Sequence, residues 1–425
     1  RHVLGGPEHT PPSEKLNIAG IGIGGMGRSN LRNCEKEQIA ALCDVDHNYA
    51  KKTFDRYPQA KRYTDYRQML DEQKEIDAVV IATPDHTHAV ISMAAMEAGK
   101  HVYCQKPLTR DVYESRRLAE AAKKTGVITQ MGIQGHSGEG LRLICEWIWD
   151  GAIGEVKEVD AWCSLSYVPH GHAWWSSPCD DRPKEIQTPP EGMDWDLWIG
   201  PAPMRPYHGC YHPAKWRCWW DFGCGMMGDR GAHTLDPVYT ALKLVPPTTV
   251  EGANVKGGNK EVHPASADVT FHIPAREGFP ALKLNWFEGR EPPRPEALED
   301  GRRLPREGGV LFKGDKGTIM CGVYGNSPRL IPESAMKAYE RPAKTLPRVA
   351  GGHEQDWLRA CKSGQPSGAD FSYSGPLTEL ALLGNLAKKF PGRPLAWDHK
   401  AMKMTNLPEA NEWVHRPYRD GWTLG

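Results

Sequence analysis

The 425-residue chain carries no excess of either charge: Lys and Arg number 53, Asp and Glu 53, and the sequence pI is about 7.3. That balance removes any general electrostatic case for binding nucleic acid or a membrane surface, so recognition has to be local. No apolar run approaches the roughly 20 residues that a membrane-spanning helix needs. The eleven cysteines are odd in number and contain no CxxC pair, which indicates neither a complete disulfide framework nor a zinc ribbon; mostly free thiols are expected. There is no internal repeat. The opening "RHVLGGPEHTPPSEK" is polar, rich in Gly and Pro, and lacks the apolar region of a signal peptide, so residues 1–15 read as an N-terminal extension. A signal removed upstream of Arg1 stays open.

What the chain has is length, more than one ordinary core takes up, so two domains are expected. From Leu16 to Gln134, "LNIAGIG", "IAALCDVD", "IDAVVIATP", "KHVYCQKP" and "VITQMG" read as strands with helical patterns between them. In "TRDVYESRRLAEAAKKTG", Leu118, Ala119 and Ala122 fall at helical spacing, Asp111 and Glu114 form a capping box, and Gly126 is the stop. Strands joined by helices imply a parallel sheet covered on both faces. Residues 16–137 are therefore expected to form an α/β Rossmann-type, doubly wound domain. After Gly138 the pattern changes to alternating or hairpin strands, "EVKEVDAWCSL", "ADVTFHI", "ALKLNWF" and "GVLFKGDKGTIMCGV", with helices at "GLRLICEWIWDG", "HEQDWLRACKSG" and "LTELALLGNLAKKF". Residues 138–425 are expected to be an α+β domain with a large open, mostly antiparallel sheet. The Pro/Gly-rich stretches from Pro178 to Pro213 and from Glu288 to Gly309 suit long excursions over a pocket.

Gly22, Gly24 and Gly27 in "LNIAGIGIGGMGRSN" spell G-x-G-x-x-G between a strand and a helix, and Asp44 ends the second strand. In that setting the first glycine makes the turn, the second admits a pyrophosphate and the third lets helix and strand pack closely. Asp44 suits ribose hydroxyls and repels a 2'-phosphate, which favours NAD over NADP; Asp46 is near enough to be the partner instead. "ATPDHTH" and "KHVYCQKPL" lie at the carboxyl ends of later strands, where such sheets bind ligands. Lys106 before Pro107 suggests a cis bond or rigid turn that aims an ammonium into the cleft. The cofactor contacts expected are Gly22, Gly24, Gly25, Met26 and Gly27 of the turn, Asp44, and Thr83, Pro84, His86, His88, Gln105, Lys106 and Pro107 of the strand ends.

With these residues the chain resembles the Gfo/Idh/MocA family of NAD(P)-dependent oxidoreductases over nearly its whole length. "ATPDHTHAVISMAAMEAGKHVYCQKPL" is similar to that family's TP-(N/D)-x-x-H and EKP signatures, with Gln105 in the usual glutamate position, and "WWDFGCGMMGDRGAHTLDP" to its G-x-x-x-D-x-x-x-H element. The resemblance carries the catalytic roles onto Lys106, Asp229 and His233. "QKPL", "TQMG-x-QGHSGEG", "DWDLWIGPAP-x-RPYH" and "WWDFG" are further shared with sugar- and glycoside-oxidising members from bacterial glycan degradation. Several of those look exported, often by the twin-arginine route, so periplasm and cytoplasm both stay open. Relatives often pair through the open sheet, which implies a homo-oligomer, dimer or tetramer.

Hydride transfer from a secondary alcohol requires removal of its hydroxyl proton. A neutral imidazole works near pH 7 and a nearby ammonium stabilises alkoxide charge. His233 is therefore assigned as general base, Lys106 as electrostatic stabiliser or relay and Asp229 as acceptor for a substrate hydroxyl, with Lys106 and His233 able to exchange roles. Eight of the fifteen tryptophans lie between Trp162 and Trp220; most are core, and a few facing the cleft would suit a pyranose ring. Tyr167, His170 and Trp219, with Asp229 and His233, are the expected substrate contacts. No compact ligand motif supports a metal among His170, His172, His212, Asp229 and His233, and none is expected. Two activities fit: an NAD-dependent dehydrogenase acting on a ring hydroxyl of a sugar or glycoside, with carbon 3 a candidate, or a redox-neutral glycosidase working by oxidation, elimination, hydration and reduction. An NAD-linked sensor without chemistry is the third reading.

Overall fold

The computed structural model describes residues 14–167, 172 and 174–425. Six strands, β1 (Asn17–Ile21), β2 (Gln38–Cys43), β3 (Lys61–Tyr63), β4 (Ala78–Ile81), β5 (His101–Gln105) and β6 (Thr129–Gly132), form one sheet in the order β3-β2-β1-β4-β5-β6, every pair parallel. The crossovers hold α1 (Met26–Asn33), α2 (His47–Arg56), α3 (Tyr66–Glu72), α4 (His88–Glu97) and α5 (Val112–Thr125). Strand β4, "AVVI", is buried along its whole length, as a strand covered by helices on both faces must be. The order reverses between β1 and β4, and a crevice at the carboxyl ends follows from that reversal.

Helix α5 ends as its sequence dictates. Asp111 accepts from Glu114 N at 3.0 Å, the Glu114 carboxylate reaches back to Arg110 N at 3.0 Å, and Gly126 closes the helix in the left-handed conformation (φ 70°). Edge strand β3 has no counterpart among the sequence-expected strands. It is three residues long with two of them exposed, too short to leave a hydrophobic period.

The second sheet has nine strands: β7 (Val156–Cys163), β8 (Thr249–Lys256), β9 (Ser266–Ile273), β10 (Leu282–Glu288), β11 (Gly308–Gly314), β12 (Thr318–Gly322), β13 (Arg329–Ile331), β14 (Leu395–Asp398) and β15 (Lys403–Met404). Their order is β13-β12-β11-β7-β10-β9-β8-β14-β15, antiparallel except for β7 with β10. In β9, Ala267, Val269, Phe271 and Ile273 turn inward and Ser266, Asp268, Thr270 and His272 outward, the two-residue period of a sheet with one dry face. Around it lie α6 (Glu139–Trp149), α7 (Trp195–Ile199), α8 (Ala232–Ala241), α9 (Glu333–Ala338), α10 (His353–Ser363) and α11 (Phe371–Lys389). Among the described residues no helix is long and apolar enough to cross a membrane.

Two late helices tie the sheets together. Helix α11 packs on α5 and also on β8 and β9, so it is buried on nearly every side. Helix α10 sends Trp357 and Leu358 into the cluster of Ile18, Leu42, Val80 and Tyr103, with the Trp357 and Tyr103 rings edge to face at 5.5 Å. The chain thus returns to the parallel sheet after building the second one. The excursion after Glu288 does not overlie the central cavity as expected: Leu298 and Leu304 instead cover Trp162, Leu311, Met320 and Ile331 on the outer face of the second sheet.

Candidate active site

A cavity of about 510 Å³ runs from the glycine turn after β1, past the carboxyl ends of β4 and β5, to α8. Gly22 has φ +76°, and a Cβ there would lie 2.7 Å from Thr83 N; a Cβ on Gly27 would meet Gly22 O at 2.3 Å. These two glycines serve the turn and the close packing of α1 on β1. The room left by Gly24 is taken by the ring of Tyr49, 2.1 Å from where a Cβ would be, a partly exposed side chain. No side chain caps α1, so its first N–H groups are open to an anion. Glycines that admit no Cβ, an uncapped helix start and Asp44 on the cavity wall together fit a dinucleotide.

Asp44 holds the glycine turn through its side chain. Its Oδ2 accepts from Ile23 N at 2.8 Å and Gly24 N at 3.2 Å, and its Oδ1 from Asp46 N at 3.0 Å. Burial raises its pKa and these N–H donors oppose the rise. Asp46, the alternative, is committed elsewhere: it caps α2 through Tyr49 N and accepts from His212 Nε2 at 2.9 Å. His212 accepts from Trp198 Nε1 at 3.1 Å, so the segment from Trp195 to His212 is latched to the end of β2.

At the far end, Lys106 Nζ donates to Asp229 O at 3.0 Å and also to the Asp229 carboxylate, whose other oxygen accepts from Tyr167 Oη. The Lys106–Pro107 peptide is cis. Burial lowers the Lys106 pKa, against the pull of Asp229. Burial pushes Asp229 up, but Lys106 and Arg217 outweigh it and hold the carboxyl well below the usual range. Asp229 lies in a π-turn, Met227–Gly231, that runs into α8. Asp229 and His233, four residues apart, both line the cavity. His233 is held neutral, its pKa well below 6.5 through burial and then the Lys106 charge. Its Nδ1 is buried and has no hydrogen-bond partner among the described residues.

The TPDHTH residues mostly hold loops. His88 lies between Pro107 O at 2.8 Å and Thr83 O at 2.9 Å, and burial brings its pKa down to about 4, so the neutral ring donates to one carbonyl at a time. His86 lies similarly between Trp198 O and Phe222 O and does not line the cavity. Thr83 and Pro84 do line it. Asp85 accepts from Cys224 N at 2.9 Å and is pushed up to about 7 by burial. Gln105 donates to Asn30 Oδ1 at 3.0 Å, and Asn30 to Glu354 Oε1 at 2.7 Å, which joins β5, α1 and α10.

Trp219, expected against a substrate, is fully buried beside Tyr211 and donates to Cys210 O; it is absent from the cavity wall. Trp175 and Trp216 are on that wall, with the Arg217 guanidinium 5.0 and 4.3 Å from their ring centres. Arg217 Nε is 3.8 Å from Asp229 Oδ1. Neither Arg217 nor Arg230, a second cation on the wall, was singled out by the sequence, although an arginine flanked by tryptophans in "KWRCWW" is a usable signal. Tyr324, edge-on to His233 at 4.7 Å, arrives from the turn after β12 and leaves no local signal. His170 falls outside the described residues. His172 stacks on Trp175 at 4.4 Å, and His212 is hydrogen-bonded to Asp46.

A family model for the Gfo/Idh/MocA oxidoreductases, NAD-binding Rossmann fold, matches residues 16–133, and one for the same family's C-terminal alpha/beta domain matches residues 167–251. Inositol 2-dehydrogenase of Salmonella typhimurium is 30% identical over 141 residues, 32% of this chain and 42% of that protein. Levoglucosan dehydrogenase of Pseudarthrobacter phenanthrenivorans is 32% identical over 154 residues, 34% of this chain and 39% of that protein. The match thus spans about two fifths of these relatives. The WlbA dehydrogenase from Bordetella pertussis, solved with NADH and UDP-GlcNAcA, superposes with a TM-score of 0.63 at 16% identity over 90% of this chain and 99% of that one. At that identity the likeness is one of fold.

Proposed function

Because the chain belongs to the Gfo/Idh/MocA oxidoreductases, with an NAD-binding Rossmann domain, we propose that it oxidises a secondary ring hydroxyl of a sugar or glycoside with NAD. The observation that carries this reading is the meeting of Lys106, Asp229 and His233 in the cavity that starts at the glycine turn, with Tyr167 hydrogen-bonded to Asp229. NAD, when bound there, supplies the hydride acceptor. Lys106 Nζ holds the substrate hydroxyl oxygen and stabilises the negative charge that grows on it. The neutral His233 ring takes the hydroxyl proton. Both Asp229 oxygens are occupied, so its part is to fix Lys106 and Tyr167 rather than to accept a substrate hydroxyl. Trp175 and Trp216 offer apolar faces to a pyranose ring, and Lys106, Arg217 and Arg230 bias the wall towards a developing alkoxide.

A redox-neutral glycosidase, which uses the same cofactor cleft, is the second reading. Incubation with NAD and a panel of sugars and aryl glycosides, following NADH and released aglycone together, separates the two. Stoichiometric NADH supports the dehydrogenase, and aglycone without net NADH the glycosidase. No turnover across the panel, with NAD bound, would return the chain to the sensor reading.

A further inference from the structure

Away from the cavity, in the excursion that ends at His212, the ligand atoms of Cys179, His208 and Cys210 all lie within 4.8 Å of one another. Tetrahedral zinc takes Zn–S distances of about 2.3 Å and Zn–N distances of about 2.0 Å, which sets such donors roughly 3.5–4 Å apart by the same geometry. Cys210 is buried, and Cys179 and His208 are partly so. Cys210 N donates to His208 Nδ1 at 3.1 Å, a bond that a cation on Nδ1 replaces, while Nε2 lies 4.0 Å from the Glu185 carboxylate.

The two arms that carry the donors are braced against each other. Gln187 N donates to Tyr207 O at 3.2 Å and Gly209 N to Gln187 Oε1 at 2.9 Å. Asn259 Nδ2 holds Asp180 O at 2.9 Å, and Trp219 Nε1 holds Cys210 O at 3.1 Å.

We propose that Cys179, His208 and Cys210 form a structural site for a soft divalent cation, zinc by its donor chemistry, which staples the excursion carrying the cavity wall. His212 lies two residues beyond Cys210 and hydrogen-bonds Asp46 and Trp198, so a cation there stiffens the wall without touching the reacting groups. Nothing in this assignment depends on the substrate.

The test uses the full chain, reduced, stripped with a chelator and titrated with zinc against a chromophoric competitor, then loaded with cobalt(II) for spectroscopy. One zinc per chain is expected, with a thiolate-to-cobalt charge-transfer band and slower proteolysis between residues 178 and 213. Cys210→Ser and Cys179→Ala should each lose the zinc and the band, while Cys361→Ser, a partly buried thiol elsewhere, should keep both. Circular dichroism monitors folding, and if Cys210→Ser fails to fold, Cys179→Ala at the less buried position decides. Absence of zinc uptake, unchanged stoichiometry in Cys179→Ala, or a peptide map of the chain before reduction with Cys179 joined to Cys210 as a disulfide would overturn the site.

Discussion

Lys106 Nζ is bonded to both the backbone carbonyl and the carboxylate of Asp229, so one residue of α8's lead-in turn fixes the ammonium at the end of β5. Asp229→Asn keeps the side-chain shape and removes the charge, leaving Lys106 facing Arg217 without a counter-ion. Turnover should fall by roughly 10²–10³-fold, the scale of one lost charge-positioning contact, while NAD titration stays near wild type. Near wild-type turnover in this variant would count against the proposed site.

Lys106→Ala and His233→Ala should each slow the hydride step, by roughly 10²–10⁴-fold on the scale of general acid–base catalysis. Because they act on one proton and one oxygen, the double variant should lose less than the product of the single losses. Pre-steady-state NADH formation measures this directly; strictly multiplicative losses would show independent roles.

The sign of the pH dependence follows from burial. His233 is depressed well below 6.5, so it stays neutral on cooling the pH from 7 to 6 and kcat/KM should show no acid limb centred near 6.5. Lys106 is depressed from 10.5, so an alkaline limb should set in below that value as the ammonium that stabilises the alkoxide is lost. A rate that rises through this range would make Lys106 the base and His233 the partner.

Asp44 accepts from two N–H groups of the glycine turn, so its removal should do more than relax cofactor choice. Wild type should favour NAD over NADP, since the carboxylate repels a 2'-phosphate. Asp44→Ala should narrow that preference and also weaken NAD itself, because the turn loses its anchor. Calorimetric titration with both cofactors checks it, and tighter NADP binding in the wild type would be the contrary result.

In the second domain Lys388 and Glu288 form an ion pair, 0% and 1% exposed, at 2.8 Å, and Glu288 also accepts from Trp286 Nε1. Glu288→Gln leaves the ammonium without a counter-charge and should destabilise by about 3–5 kcal/mol, whereas replacing both by apolar residues of similar volume should cost far less. Denaturant titration of the two variants distinguishes them; equal losses would put the weight on packing.

A homo-oligomer built through the open sheet would be polar: Asp268 pairs with Arg290, and Lys313 with Glu158 and Asp160. Such a contact should loosen as salt screens it. Light scattering at micromolar concentration, with and without added salt, tests it, and a monomer at low salt would end it.

The parallel sheet and its glycine turn were legible in the sequence because their causes are local. Buried strands read as apolar runs, α5 carries its cap and its stop, and Gly22 and Gly27 are required by a positive φ and a backbone contact within one βα unit. Lys106, Asp229 and His233 could be carried over from signature motifs for the same reason. What the motifs could not settle was partnership. Only the folded chain occupies both Asp229 oxygens, with Lys106 from 123 residues before and Tyr167 from 62, seats Trp175 and Trp216 at the cavity while sending Trp219 into the core, and turns Asp44 back onto its own glycine turn. Those outcomes depend on contacts between segments far apart in sequence, where local propensity is silent and packing decides which polar groups find each other.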